Sequence, residues 1–165
     1  MKIFLTGEKG VGKSTCIQEI IKECQISVCG FMTLPFYEEN KRVGFMLHAL
    51  VDREINDVRF SKQKEVIPNV FNSFGVEVLK ECLHYRNRFL ILDEIGFLEQ
   101  NETAYLAQLK ENIDAFNNII GFLRKCDIQY IVEIKKRKDV LLLDFDKLSK
   151  NEVKTLLKMY VEDSL

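Results

Sequence analysis

Short apolar runs alternate with segments of helical periodicity along most of this chain. The apolar runs predict buried strands at residues 2–5, 89–92, 118–123 and 140–145. Between them, apolar residues recur three or four positions apart and predict helices; these residues are Ile17, Ile20, Ile21 and Cys24, then Val76, Leu79, Cys82 and Leu83, then Leu106, Leu109, Ile113 and Phe116. A shorter helix is expected at residues 128–136. This alternation is typical of an α/β fold, with a mostly parallel central sheet and helices on both faces, and we expect a single domain over residues 1–165.

Two further segments break the alternation after the first helix. Residues 27–33 and 43–50 predict a β-hairpin insert, with residues 34–42 (LPFYEENKR) as its polar turn, because Pro35 and Asn40 both favour turns. Residues 52–72 have no clear pattern and predict a loop or one more short strand. At the other end of the chain, Ser149 and Glu152 have the spacing of a capping box, which predicts the start of the last helix.

Composition narrows the class of protein. The 165 residues are 47% hydrophobic and 30% charged with a net charge of −1, so the chain is expected to be globular and to lack a broad basic surface for nucleic acid. The basic run KKRK (residues 135–138) is interpreted as a solvated helix end. No apolar run reaches the 18 residues of a membrane span, and no membrane association is expected.

The cysteines and histidines give no sign of a disulfide or zinc site. Five cysteines form no C-x-x-C pair, and the two histidines, His48 and His84, are far apart in the sequence. In the absence of a signal peptide, the cysteines are expected to be reduced core residues of a cytoplasmic protein.

The strongest chemical signal is the stretch GEKGVGKST, which follows the first strand and precedes the first helix. Its spacing fits G-x-x-x-x-G-K-[ST], the phosphate-binding loop, with Gly7, Gly12, Lys13 and Ser14 at the fixed positions. Glycines allow backbone N–H groups to surround phosphate oxygens, and the helix that follows adds the positive end of its dipole. We therefore expect a triphosphate to be held by Gly7, Glu8, Lys9, Gly10, Val11, Gly12, Lys13, Ser14 and Thr15.

The second half of the site is expected in FLILDEIG, where a buried strand ends in two acids. Asp93 is placed to hold Mg²⁺ together with the hydroxyl of Ser14. Glu94 is then available to orient a water molecule or accept its proton, so Lys13 and Glu94 are the candidate catalytic residues. A kinase activates its own acceptor and needs no carboxylate for water, which favours hydrolysis.

A cation that stabilises charge on the transferred phosphoryl group is a further candidate. Arg124 and Lys125 follow the strand IIGFL, at the edge where ligands of such sheets bind, and either could act as an arginine finger in cis or be simple surface charge. The residues RKCD also resemble the guanine-reading motif N-K-x-D, but Arg124 stands where the amide is required, so guanine specificity does not follow.

Three motifs in this order carry a family resemblance: MKIFLTGEKGVGKST, GFMT followed by RVGF, and ILDEIGFLE. Together they resemble the nucleoside-triphosphatase family first described from thermophiles, which includes a human cancer-related nucleoside triphosphatase. The resemblance implies a P-loop NTPase fold and a Mg²⁺-dependent enzyme that cleaves the γ-phosphate of ATP, GTP, CTP or UTP. It also implies a second nucleotide-contacting segment formed by Leu92, Asp93, Glu94, Ile95, Gly96, Phe97, Leu98 and Glu99.

The chain departs from the family pattern in two places. Members commonly have an acid and an arginine soon after GF-T, where this chain has LPFYEEN. After DEIG the usual Pro or Lys and Met-Glu-Leu are replaced by FLEQ, which keeps only Glu99 as a weaker site candidate.

Two alternatives to a hydrolase stay open. The first is a nucleotide or small-metabolite kinase, although no segment concentrates the arginines of a lid. The second is a nucleotide-dependent switch or the ATPase module of a larger assembly, since the sequence leaves a protein partner open.

Overall fold

The computed structural model describes residues 1–8, 10, 12–62, 65–96 and 98–165, and for Glu94 it describes the main chain alone. The strands are β1 (Lys2–Thr6), β2 (Val28–Glu38), β3 (Lys41–Ala49), β4 (Asp57–Lys62), β5 (Glu65–Val66), β6 (Phe89–Ile95), β7 (Ile119–Leu123) and β8 (Val140–Asp144). The α-helices are α1 (Lys13–Cys24), α2 (Val76–Cys82), α3 (Thr103–Ala115), α4 (Gln129–Lys135) and α5 (Lys150–Glu162). A π-helical turn (Phe71–Gly75) precedes α2, and a 3₁₀ turn (Leu83–Tyr85) follows it.

The eight strands within the described residues belong to one sheet, in the order β5-β4-β3-β2-β6-β7-β1-β8. The five strands from β2 to β8 in this order pair in parallel, and β3, β4 and β5 extend the sheet in antiparallel fashion. The predicted α/β architecture with a mostly parallel sheet is therefore confirmed. The predicted hairpin after the first helix is formed by β2 and β3, and its first strand, β2, also pairs with β6 in the parallel sheet.

The core lies on both faces of the sheet. Side chains of β1 alternate between them: Ile3 and Leu5 pack with apolar residues of α1 and α5, whereas Phe4 packs with those of α2, α3 and α4. Both central strands β1 and β7 are buried along their whole length, which explains why they appear in the sequence as continuous apolar runs.

The predicted hairpin turn is the largest error in the elements expected from the sequence. Residues 34–38 and 41–42 are strand, and the chain reverses at Glu39 and Asn40, which have φ of 47° and 62°. Pro35 pairs with Phe45 of β3, and it is tolerated because β2 pairs with β6 only as far as Phe31. Beyond that point β2 has a free edge, where the missing N–H of proline breaks no ladder.

Two other expectations agree with the structure, a short strand within residues 52–72 and the capping box at Ser149. The short strand allowed for residues 52–72 is present as β4, with β5 beside it. The capping box is formed, since the hydroxyl of Ser149 accepts from the N–H of Glu152 and the carboxylate of Glu152 accepts from the N–H of Ser149. The five cysteines are free thiols. In the described ranges, no helix combines the length and apolar character that a membrane span requires.

Candidate active site

The phosphate-binding loop joins the end of β1 to the start of α1, as the motif predicts. Gly10 and Gly12 have φ of 85° and 92°, and Gly12 is the N-cap of α1. A Cβ built on either glycine meets no atom within 4 Å, so the requirement for glycine here comes from backbone conformation and not from space. The first-turn N–H groups of α1 therefore begin directly after a left-handed residue, in the arrangement that surrounds an anion.

Lys13 is held inside the loop. Its ammonium donates to the carbonyl oxygen of Gly7 at 2.8 Å and also to that of Glu8, and it lies 4.3 Å from the centre of the Phe122 ring. Only 7% of the residue is exposed. The described contacts of the ammonium are therefore with carbonyl dipoles and an aromatic face.

Asp93 brings the two halves of the site together. Its residue is 1% exposed, and its Oδ1 accepts from the hydroxyl of Ser14 at 3.0 Å. Its Oδ2 accepts from the backbone N–H of Thr33 at 3.2 Å. The structure therefore brings together Ser14 and Asp93, which lie 79 positions apart in the sequence, and their shared role in holding Mg²⁺ stays a prediction.

Thr33 is a site residue that no motif in the sequence marks by itself. It lies on β2, next to β6 in the sheet, and its hydroxyl also approaches the carbonyl oxygen of Asp93 at 3.4 Å. The useful signal was the stretch GFMT, since the end of a parallel strand beside β6 must reach the same edge as Asp93.

A second contact to the loop comes from the segment after β8. The carboxylate of Asp146 accepts from the backbone N–H of Glu8 at 3.3 Å and pairs with Lys125. Lys125 also pairs with Asp144 at 3.1 Å. The hydrogen bond to Asp146, followed by that to Asp144, raises the pKa of Lys125. Lys125 is thus engaged by two carboxylates beside the loop.

The segment after β6 turns back on the protein. The N–H of Gly96 donates to the Oε1 of Glu99 at 2.7 Å, and the carbonyl oxygen of Gly96 accepts from the hydroxyl of Tyr130. Glu99 is 2% exposed. The side chain of Arg124 packs against Gly96, with its Cδ 3.1 Å from the position a Cβ on Gly96 would occupy.

The remaining predicted site residues have varied surroundings. Thr15 is exposed on α1, Leu98 is half-buried, and the side chains of Leu92 and Ile95 belong to the core. Their nucleotide contacts stay predictions, as do those of the other members of the two segments. Lys9, Val11 and Phe97 lie outside the described residues, and Glu94 is described only as part of β6.

The chemistry of the site suits a hard cation more than a transition metal. Ser14 and Asp93 offer oxygen ligands, which Mg²⁺ prefers, and Mg²⁺ sites of this kind also use water and phosphate oxygens. Over the described ranges, no group of three or more His, Cys, Asp or Glu side chains could hold a metal.

A cavity of about 460 Å³ lies away from this site, between α3 and α4. Its lining includes Leu106, Tyr130 and Ile134 and no residue of the phosphate-binding loop.

Comparison with known proteins agrees with the motifs. A family model described as NTPase matches residues 2–157. Nucleoside-triphosphatase THEP1 of Thermotoga sp. strain RQ2 is 26% identical over 161 residues, covering 93% of this chain and 91% of the relative. THEP1 of Methanocaldococcus jannaschii is 32% identical over 136 residues, covering 76% and 79%.

Solved structures show the same fold. The solution structure of a human cancer-related nucleoside triphosphatase matches with a TM-score of 0.78 at 22% identity, over 99% of this chain and 98% of the human one. Since the family model spans nearly the whole sequence, the resemblance carried by the three motifs is confirmed, and the chain belongs to this NTPase family.

Proposed function

We propose that this protein hydrolyses nucleoside 5′-triphosphates to diphosphates and inorganic phosphate, in a Mg²⁺-dependent reaction that accepts ATP, GTP, CTP and UTP. The observation that carries the proposal is the 3.0 Å contact between the hydroxyl of Ser14 and the carboxylate of Asp93. This contact joins the phosphate-binding loop to the end of β6, where a strand-end acid and a loop hydroxyl serve the same cation in P-loop enzymes. The names of the relatives, all nucleoside-triphosphatases, support the same activity.

The loop amides and Lys13 bind the phosphates. The first-turn amides of α1 surround the β- and γ-phosphates, and the positive end of the helix adds to their attraction. Lys13 exchanges the carbonyl oxygens of Gly7 and Glu8 for phosphate oxygens. Phosphate oxygens carry full negative charge whereas carbonyl oxygens are only dipoles, so the exchange favours the nucleotide-bound state.

Ser14 and Asp93 would hold Mg²⁺, which supplies positive charge to the phosphate oxygens during transfer. The role of Thr33 is to keep Asp93 in place, because its main-chain N–H occupies the second carboxylate oxygen. Asp93 then has its Oδ1 directed at the Ser14 hydroxyl and leaves the lone pairs of Ser14 available.

Glu94 is proposed to direct the attacking water. As the water oxygen bonds to the γ-phosphorus, the bridging bond to the diphosphate breaks and the Glu94 carboxylate takes the proton of the water. Glu94 follows Asp93 directly on β6, so it starts from the same edge of the sheet.

Broad base tolerance is expected because the recognisable contacts to the nucleotide are made to its phosphates and not to its base. The recognisable contacts are to phosphate, and the one candidate for reading a base, RKCD, lacks its amide. Its lysine, Lys125, is engaged by Asp144 and Asp146. We expect kcat/KM values for the four ribonucleotides within about tenfold of each other, or about 1.4 kcal/mol.

A phosphate-release assay with ATP, GTP, CTP and UTP, with and without Mg²⁺, tests the proposal. Release with all four nucleotides, lost on Mg²⁺ withdrawal and lost in Lys13→Ala, is the expected result. Lys22→Ala is the matched control, since Lys22 is exposed in the last turn of the same helix. A thousandfold preference for one base contradicts the tolerance, and a phosphorylated acceptor without free phosphate contradicts hydrolysis.

A further inference from the structure

The position of the Asp93–Glu94 segment is not set by the sheet alone. The register between β6 and β7 shifts between Leu92 and Ile95, so the regular ladder is interrupted where the two acids lie. Pairing resumes when Ile95 meets Leu123 and the N–H of Arg124 donates to the carbonyl oxygen of Ile95 at 2.9 Å. Because the ladder is interrupted here, contacts outside the ladder contribute to the conformation of this stretch.

The main chain of Gly96, directly after β6, is held by such contacts. Its N–H donates to Glu99 and its carbonyl oxygen accepts from Tyr130, so both of its polar groups are bound by side chains. Arg124 closes the third side by packing against its Cα. Gly96 is itself buried, which makes these bonds costly to lose.

We infer that Tyr130 and Glu99 act together as a latch on Gly96 that positions Asp93 and Glu94 for hydrolysis. They are positioning residues, and this role rests on the proposed function. It differs from the nucleotide contact that the resemblance implies for Glu99, because the carboxyl of Glu99 is buried and turned toward the main chain of its own segment.

The electrostatics of the latch agree with this role. Burial, followed by the nearby carboxyl of Glu99, raises the pKa of Tyr130. Burial, followed by Glu99 and then Tyr130, raises the pKa of Tyr105 as well. Both phenols are therefore protonated throughout the working range of pH, so the hydroxyl of Tyr130 keeps the proton with which it donates to Gly96.

Tyr130→Phe removes only the latching hydroxyl. We expect the single-turnover rate constant to fall about 10- to 100-fold, as is typical when a contact that supports a site residue is removed. The Kd for triphosphate should stay within about twofold. Hydrogen exchange of the peptide covering residues 93–98 is expected to rise at least about tenfold, because the donor to Gly96 is lost.

Tyr160→Phe is the matched control. The hydroxyl of Tyr160 donates to the carbonyl oxygen of Met1 at 2.6 Å and accepts from the N–H of Ile119 at 3.1 Å. These contacts lie at the amino ends of β1 and β7, opposite the site. The variant should lower Tm without changing kcat or the exchange of residues 93–98.

Two substitutions of Glu99 separate a latch from a direct chemical role. Glu99→Gln keeps a carbonyl oxygen that can accept from Gly96, whereas Glu99→Ala removes it. If Glu99 acts only as a latch, Glu99→Gln should retain most of the kcat that Glu99→Ala loses, with the pH profile of the wild type. A carboxylate that touches nucleotide or water predicts that Gln is as impaired as Ala, and this result would overturn the inference.

The exchange measurement keeps the latch and the proposed function distinguishable. A wild-type protein that releases no phosphate refutes the function, yet faster exchange in Tyr130→Phe still supports the latch. A wild-type protein that hydrolyses triphosphate refutes the latch if Tyr130→Phe has both the kcat and the exchange of the wild type within about twofold.

Discussion

Asp93→Asn is the substitution that tests the assembled site most directly. Among its described contacts, the carboxylate of Asp93 accepts hydrogen bonds from the hydroxyl of Ser14 and the N–H of Thr33. A main-chain N–H cannot reverse its direction, so the single amide oxygen of asparagine has to face Thr33. Its amide nitrogen then faces Ser14, and the hydroxyl of Ser14 changes from donor to acceptor.

This reversal weakens a Mg²⁺ site in two ways. The loss of an anionic group near the ion is expected to reduce metal affinity by about 10- to 100-fold. The lone pair of Ser14 that accepts from the new amide is also no longer available to the cation, and the bond between residues 14 and 93 changes from charge-assisted to neutral, a difference of about 1 kcal/mol. We expect the Mg²⁺ concentration for half-maximal turnover to rise about 30-fold, or about 2 kcal/mol.

The assay is a Mg²⁺ titration of phosphate release at saturating triphosphate. Asp57→Asn is the control, because Asp57 is exposed on β4 and pairs with His48, in the antiparallel extension of the sheet. A melting curve without Mg²⁺ verifies that Asp93→Asn is folded. If a folded Asp93→Asn protein has the half-saturation of the wild type within about twofold, Asp93 does not support the metal and the reasoning is wrong.

Four further changes test other parts of the molecule. Lys13→Ala should abolish phosphate release and raise the Kd for triphosphate at least about tenfold by calorimetry, since a charge-assisted contact of about 1.5–3 kcal/mol is removed; undiminished turnover would exclude the loop assignment. Glu94→Gln should lower kcat by about 10²- to 10⁴-fold with little change in Kd, and single-turnover rates above about a third of the wild type would exclude the water-directing role. Asn112→Ala should lower the free energy of unfolding in urea by about 2 kcal/mol without affecting turnover, because Asn112 is fully buried and its amide donates at 2.7 Å to Leu79 O; a loss below about 0.5 kcal/mol would contradict this. Lys154→Gln should lower Tm above pH 4.5 at low salt, because Lys154, ahead of Lys158, depresses the pKa of Glu23 from 4.5 to about 2; the difference from wild type should shrink as pH falls toward 2, and a constant difference would refute the pairing.

The sequence predicts well those parts of the fold whose residue pattern is set by burial or by local backbone conformation. Strands buried on both faces, such as β1 and β7, must be apolar throughout, and this is visible without a structure. The phosphate-binding loop is equally local, because its glycines satisfy a conformational need within nine residues. The capping box of Ser149 and Glu152 belongs to the same class.

The turn of the hairpin is predicted poorly because the conformation of its residues depends on which strands lie beside β2. Pro35 indicates a turn in isolation, but it is a strand residue here since β2 has a free edge at that point. The polar residues of the same stretch are tolerated for the same reason, as that part of β2 is half-buried or exposed. Local propensity gave the wrong end of the strand where tertiary context decided it.

The latch could not have been predicted for a similar reason. Tyr130 is 34 positions from Gly96, and the helix that carries it gives only the usual apolar periodicity. Glu99 has a sequence signal, its place after DEIG, but that signal suggests a contact with nucleotide. Its burial follows from the turn of the main chain after β6, which no residue pattern encodes by itself.

One irregularity of the sheet connects the parts of the site. If the parallel register of Phe31 with Leu92 continued, Thr33 would lie opposite Glu94 and its N–H would be used by the main chain of β6. The ladder stops at Phe31, and β6 shifts register after Leu92. The N–H of Thr33 is thereby released for the side chain of Asp93, which takes the place of a main-chain acceptor. The break in the ladder thus exchanges a backbone hydrogen bond for a bond to a carboxylate, and it orients that carboxylate toward the hydroxyl of the phosphate-binding loop.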